Sequence, residues 1–242
     1  MSLWTETVAN THYGPYPENQ LDITCARWRH TGPSPGVIVF HGGSWQFGDR
    51  EEPRERVCRP YLAKSFVVFN VEYRHGVAAA AEDAARALEW CFGAASSYHV
   101  DPRKIVVTGE SAGAHLALLS TFQSRFRIAA VINFYGVSDL CSLLDSTAIR
   151  EVLPREDTKL AAERLSPIRN IGEAACPVLS IHGTADSIVP LEQTTLLTEG
   201  IRRAGGKAKE ILIDGGGHGF SEAQTRRAYR AVFDFLRDLG VR

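Results

Sequence analysis

Short apolar runs alternate along this chain with stretches whose apolar positions recur at helical spacing. Gly36-Val37-Ile38-Val39-Phe40, Phe66-Val67-Val68-Phe69-Asn70-Val71-Glu72-Tyr73, Ile105-Val106-Val107-Thr108, the stretch 129–134, Pro177-Val178-Leu179-Ser180-Ile181-His182-Gly183 and the stretch 207–214 are rich in β-branched or aromatic residues, which predicts buried strands. After a short Gly- and Pro-rich segment at 13–17, the alternating residues 21–28 predict an earlier strand, and 31–35 and Asp101-Pro102 predict turns. Helices are expected near 55–64, at 78–95, where Ala84, Leu88 and Cys91 share a face, at 114–119, near 191–204 and at 222–239. The stretch 138–171 is polar and irregular and is expected to be a short insertion. Short apolar strands alternating with helices argue for the α/β class, with a mostly parallel central sheet covered by helices on both faces. Ligand sites in such sheets lie at the carboxyl ends of the strands.

Composition narrows this picture. A chain of 242 residues, 44% hydrophobic and 23% charged, fits one α/β domain over 1–242 with a sizeable core. With 27 basic and 28 acidic side chains there is no broad field to draw in nucleic acid or an anionic membrane, and a polyanionic substrate is not expected. No apolar run approaches the roughly 18 residues of a membrane span. Met1-Ser2-Leu3-Trp4-Thr5-Glu6 has neither the basic start nor the apolar core of a signal peptide, so a cytoplasmic location is expected. The five cysteines are widely spaced and form no zinc-like pattern with histidine; they are expected to be buried apolar thiols in a reducing compartment.

Candidate chemistry is concentrated where predicted strands end. Gly109-Glu110-Ser111-Ala112-Gly113 lies between the strand 105–108 and the helix 114–119, the setting of a nucleophile elbow, in which small residues on either side of a serine let neighbouring backbone approach. Such a five-residue pattern arises by chance roughly one time in ten in so glycine-rich a chain, so its companions carry the argument. His41-Gly42-Gly43-Ser44-Trp45 follows the strand 36–40. Asp186 follows the strand ending at Gly183, and Gly215-Gly216-Gly217-His218-Gly219-Phe220 follows the strand 207–214. Ser111, Asp186 and His218 thus stand in the chain order nucleophile, acid, base. Asp214, which ends a strand close to His218, is the rival acid.

These residues resemble the α/β-hydrolase superfamily, especially its hormone-sensitive-lipase-like esterases and its compact bacterial acetyl and feruloyl esterases. The motifs that carry the likeness are His41-Gly42-Gly43, Val71-Glu72-Tyr73-Arg74, Gly109-Glu110-Ser111-Ala112-Gly113-Ala114-His115-Leu116 and Gly217-His218-Gly219-Phe220, and the likeness runs from Tyr13 to the C-terminus. The resemblance implies an α/β-hydrolase fold and acyl hydrolysis. Many larger relatives carry a helical cap, whereas 138–171 is modest, which implies a small cap or none and an open site.

Ester cleavage would then use Ser111 as nucleophile, His218 as base and Asp186 to hold the imidazole, with backbone N–H groups of Gly42, Gly43 and Ala112 receiving the oxyanion and with no metal or organic cofactor. His41 is expected to organise the oxyanion loop, His115 to be a packed core histidine, and Glu110 to support the elbow. Trp45, Ile188 and Phe220 are candidate walls of the substrate pocket. The first functional expectation is a serine carboxylesterase for short-acyl esters, of small-molecule type or acting on acetylated or feruloylated carbohydrate. The second is an arylformamidase, which the same motifs resemble, although Ser44 and Glu110 depart from its usual aromatic and histidine. The third is a non-catalytic binding module, against which all three triad candidates speak.

Overall fold

In a computed structural model, which describes residues 5–26, 32–172 and 176–242, an eight-stranded sheet has the order β1-β2-β4-β3-β5-β6-β7-β8. The strands are β1 (Thr5–His12), β2 (Gln20–Ala26), β3 (Ser34–Phe40), β4 (Val67–Val71), β5 (Val100–Glu110), β6 (Ala130–Phe134), β7 (Val178–Gly183) and β8 (Ala208–Ile213). The helices are α1 (Arg59–Leu62), α2 (Val77–Ala94), α3 (Ala112–Phe122), α4 (Thr147–Val152), α5 (Thr158–Leu165), α6 (Glu192–Arg203) and α7 (Glu222–Asp238). Only the pairs β1/β2 and β2/β4 are antiparallel; every pair from β4 to β8 is parallel. This is the α/β-hydrolase fold.

Period-two alternation divides each parallel strand between two cores, as expected of a sheet buried on both faces. Ile38 and Phe40 of β3 join Ile105 and Val107 of β5 under α2, α3 and α6, where Ala84, Leu88, Leu116 and Leu197 are buried. Val37 and Val39, with Val106, Ile132 and Leu179, pack on the other face against Tyr61 and the α7 residues Tyr229, Val232 and Leu236. The chain leaves β3 for β4 on one side and returns to β5 on the other. That reversal is a switch point in the strand order, and ligands in such sheets bind beyond the carboxyl ends of the strands that flank it.

The structure corrects several expectations. Strand β1 was not predicted: its one apolar residue of a strand-forming type is Val8, and the strand is exposed on an edge, so no burial pattern marks it. Asp101-Pro102, an expected turn, lies inside β5. Pairing with β3 jumps there from Ser34/Val100 to Gly36/Ile105, and Pro102, which has no N–H, falls in the interruption. The helix expected at 55–64 is a π-helical turn at Arg54–Cys58 running into the short α1. The stretch 138–171 contains α4, α5 and two 3₁₀ turns rather than irregular chain. All five cysteines are free, but only Cys58 and Cys91 are buried; Cys25, Cys141 and Cys176 are partly exposed. Arg27, Trp28 and Thr31, placed in a predicted strand and turn, lie outside the described residues. Among the described residues no helix is long and apolar enough to cross a membrane.

Candidate active site

Ser111 joins β5 to α3 with φ 54° and ψ −119°, a backbone region that costs a residue with a Cβ on the order of 1–3 kcal/mol. The flanking glycines explain how the turn is reached. A Cβ on Gly109 would lie 2.3 Å from the backbone carbon of Gly113, and one on Gly113 would lie 2.2 Å from the carbonyl oxygen of Phe40. The Ser111 N–H donates to Phe134 O at 2.9 Å, which ties the turn to the end of β6.

His218 enters from the glycine loop after β8, in which Gly215 and Gly219 have positive φ. Its Nδ1–H donates to Asp186 Oδ2 at 2.8 Å, leaving Nε2 as acceptor 2.9 Å from Ser111 Oγ. Asp186 follows β7 and its side chain is fully buried. Burial alone would raise its carboxyl, but hydrogen bonds from His218, Val189 N–H and Ile188 N–H outweigh it and hold the group below the usual carboxylate range. The loops of Asp186 and His218 meet because Gly183 has no side chain: a Cβ there would lie 2.1 Å from Gly216 O. Asp214, the rival acid, is exposed and bonds Thr184 Oγ1 at 3.5 Å.

The glycine loop after β3, the candidate oxyanion loop, approaches the elbow. A Cβ on Gly42 would stand 3.2 Å from Glu110 O and 3.8 Å from Ser111 Cβ, so this backbone passes directly against the elbow. His41 underlies it: its Nδ1–H donates to Gly42 O at 2.7 Å, Nε2 lies 3.0 Å from Glu72 Oε1, and its ring stacks on Tyr73 at 4.1 Å. The Tyr73 hydroxyl donates to His41 O at 2.7 Å, so Glu72 and Tyr73, in the motif after β4, are scaffold for this loop.

Of the expected pocket walls, Ile188 is 68% exposed beside Asp186, and Phe220 is half-buried with its ring edge-on to Tyr135 at 5.2 Å. Trp45 is instead a core residue, 3% exposed, and its indole N–H donates to His115 Nδ1 at 3.2 Å. Sequence reasoning missed Tyr135 and Arg56. The Tyr135 ring lies 4.8 Å from that of His218, and its hydroxyl donates to Glu110 Oε1 at 2.7 Å. Glu110 Oε2 accepts from Arg56 Nε and Nη2 at 3.1 and 2.5 Å. The one available signal was Tyr135's position just past a strand's carboxyl end.

A serine on a strained strand-to-helix turn, with a histidine and a buried aspartate delivered by two later strands, defines an α/β-hydrolase. The chain belongs to the BD-FAE family, whose model matches residues 21–201. It is similar to the probable carboxylic ester hydrolase LipM of Mycobacterium tuberculosis, with 29% identity over 79% of this chain and 51% of LipM. The chain therefore spans about half the length of that relative. Among solved structures, a truncated carbohydrate esterase from gut microbiota superposes with a TM-score of 0.87 over 99% of this chain and 98% of its own at 22% identity, which speaks to fold alone. Thermogutta terrifontis esterase 2, phosphorylated by paraoxon, superposes with a TM-score of 0.82 over 98% of this chain and 95% of its own at 25% identity.

Proposed function

We propose that the protein is a serine carboxylesterase that hydrolyses short-acyl esters of small alcohols through an acyl-enzyme. The observation that carries this reading is the continuous relay from Ser111 Oγ to His218 Nε2 at 2.9 Å and from His218 Nδ1 to Asp186 at 2.8 Å, beside the glycine backbone of the oxyanion loop. A serine hydroxyl is a weak nucleophile at neutral pH, so His218 takes its proton as Ser111 Oγ attacks the ester carbonyl. Asp186 fixes the imidazole tautomer and stabilises the imidazolium that forms. The developing oxyanion is received by backbone N–H groups of Gly42, Gly43 and Ala112, each such donor being worth about 3 kcal/mol. His218 returns the proton to the departing alkoxide. It then deprotonates the water that cleaves the acyl-enzyme and gives that proton back to Ser111.

Short acyl groups are supported by Thermogutta terrifontis esterase 2, which has been solved with propionate and with butyrate bound. The test is steady-state hydrolysis of p-nitrophenyl acetate, butyrate and octanoate beside N-formylkynurenine, with a Ser111→Ala variant. The expected result is turnover of the short esters, lost on the order of 10⁴-fold or more in the variant. Equal rates in both proteins would overturn the Ser111 mechanism, and a preference for the formyl amide would replace the ester reading with the arylformamidase one.

A further inference from the structure

The oxyanion loop is strained over three successive residues: Gly43, Ser44 and Trp45 have φ of 115°, 53° and 58°. Two of these carry a Cβ, and each such residue costs on the order of 1–3 kcal/mol in this region, so local preference works against the loop. Two kinds of backbone bond brace it. Gln46 N–H and Phe47 N–H donate to Gly43 O at 3.0 and 2.9 Å, and Gly76 N–H donates to Trp45 O at 2.7 Å. Beyond these and the His41–Tyr73 scaffold, a further brace is the buried indole of Trp45, which meets the ring of His115 edge-on at 5.0 Å and donates to its Nδ1.

His115 lies one turn beyond the nucleophile, with its own N–H donating to Ser111 O at 3.0 Å. Its Nε2–H donates to Leu165 O, the last residue of α5, at 2.8 Å. Burial pushes this imidazole down to about 4, against the pull of the Leu165 carbonyl, so the ring is neutral at working pH with one nitrogen always donor and the other always acceptor. A single side chain thereby joins the oxyanion loop, the nucleophile helix and the segment between β6 and β7.

We propose that His115 is a positioning residue that sets the distance between the oxyanion-loop N–H groups and Ser111 by anchoring Trp45 to the first turn of α3. The proposal rests on the esterase reading and on Gly42 and Gly43 as oxyanion donors. Those donors act on the tetrahedral state more than on bound ester, so a displaced loop lowers kcat and leaves KM nearly unchanged. A histidine that only satisfies polar groups in the core would change stability and leave the rate per folded molecule intact.

The experiment is a double-mutant cycle with Trp45→Phe and His115→Leu, supplemented by His115→Gln, whose amide can both accept and donate. Each protein is assayed for kcat and KM on p-nitrophenyl butyrate, for affinity to an alkyl trifluoromethyl ketone, which forms a tetrahedral adduct with the serine, and for Tm. We expect each single variant to lose kcat and ketone affinity by a common factor on the order of tenfold, with KM within about twofold. The double variant should be no worse than the poorer single one, because both remove the same link. His115→Gln should recover most of the loss. Wild-type kcat and ketone affinity in folded His115→Leu, or losses that multiply in the double variant, would overturn the proposal while leaving the Ser111 mechanism standing. A wild type inert to both ester and ketone would overturn the esterase reading itself, and the role of His115 with it.

Discussion

Acidification should destabilise this protein well before its carboxylates are protonated, and His115 sets most of the effect. In the native state burial holds its imidazole down to about 4, whereas in the unfolded chain it titrates near 6.5. The unfolded chain therefore binds a proton that the native chain refuses. Stability from this source is whole above pH 6.5, falls as the pH drops, and loses nothing further below about 4. At about 1.4 kcal/mol per pH unit for one proton, the loss between pH 6.5 and 4.5 is about 2 kcal/mol. His182, also lowered by burial, acts in the same direction. Asp22, Asp101 and Asp186, held below their usual range, lose their contribution only under about pH 4, outside this window. Urea unfolding of wild type and His115→Gln at pH 7.5, 6.5, 5.5 and 4.5 isolates the histidine, since glutamine cannot take up the proton. The variant should begin less stable, and its stability should fall by about 2 kcal/mol less across the series. Parallel pH dependences in the two proteins would refute the assignment of a neutral, buried His115.

Four further outcomes follow from the geometry. Asp186→Asn keeps the shape of the site but frees the His218 tautomer, so kcat for p-nitrophenyl butyrate should fall on the order of 10⁴-fold with little change in Tm; a loss under tenfold would remove Asp186 from the relay. Gly113→Ala drives a Cβ to 2.2 Å from Phe40 O and 2.3 Å from His41 O, so it should cost more than about 3 kcal/mol in urea unfolding. Gly93→Ala in α2, where a Cβ meets nothing within 4 Å, should instead raise stability by about 0.5–1 kcal/mol. Tyr135→Phe removes the hydroxyl that donates to buried Glu110 and keeps the ring beside His218, so calorimetry should show a loss of about 1–3 kcal/mol while kcat stays within a few-fold of wild type.

The site candidates were legible because topology does the work of bringing them together. Ser111 and His218 are 107 residues apart, yet each follows a parallel strand, and parallel strands deliver their carboxyl ends to one edge. The apolar runs that predict those strands therefore locate the loops that meet. What stayed hidden depends on direction rather than position. Trp45 follows Gly42 and Gly43, the candidate oxyanion donors, and so looks like a pocket wall, but the left-handed run at 43–45 accompanies a side chain buried in the core. The link from Arg56 through Glu110 to Tyr135 spans 54 and 25 residues, and no local pattern announces that these three meet. Strand β1 escaped for the opposite reason: hydrophobic alternation reports burial, and this strand has almost none.

Backbone strain is distributed in a way that bears on how the site responds to change. Seven described residues other than glycine have positive φ, and Ser44, Trp45, Ser111 and Tyr135 all lie on loops at the carboxyl edge of the sheet. Each loop is held by the loop or strand end beside it: Gly76 N–H bonds Trp45 O, Ser111 N–H bonds Phe134 O, Tyr135 N–H bonds Ile181 O, and Thr184 N–H bonds Ile213 O. Strain of this size persists only where neighbours over-determine it. The loops that would bear oxyanion donors, nucleophile, acid and base therefore cannot relax one at a time. Substitutions on different loops should consequently couple in kcat, with a combined loss smaller than the product of the single ones, even where the altered side chains do not touch.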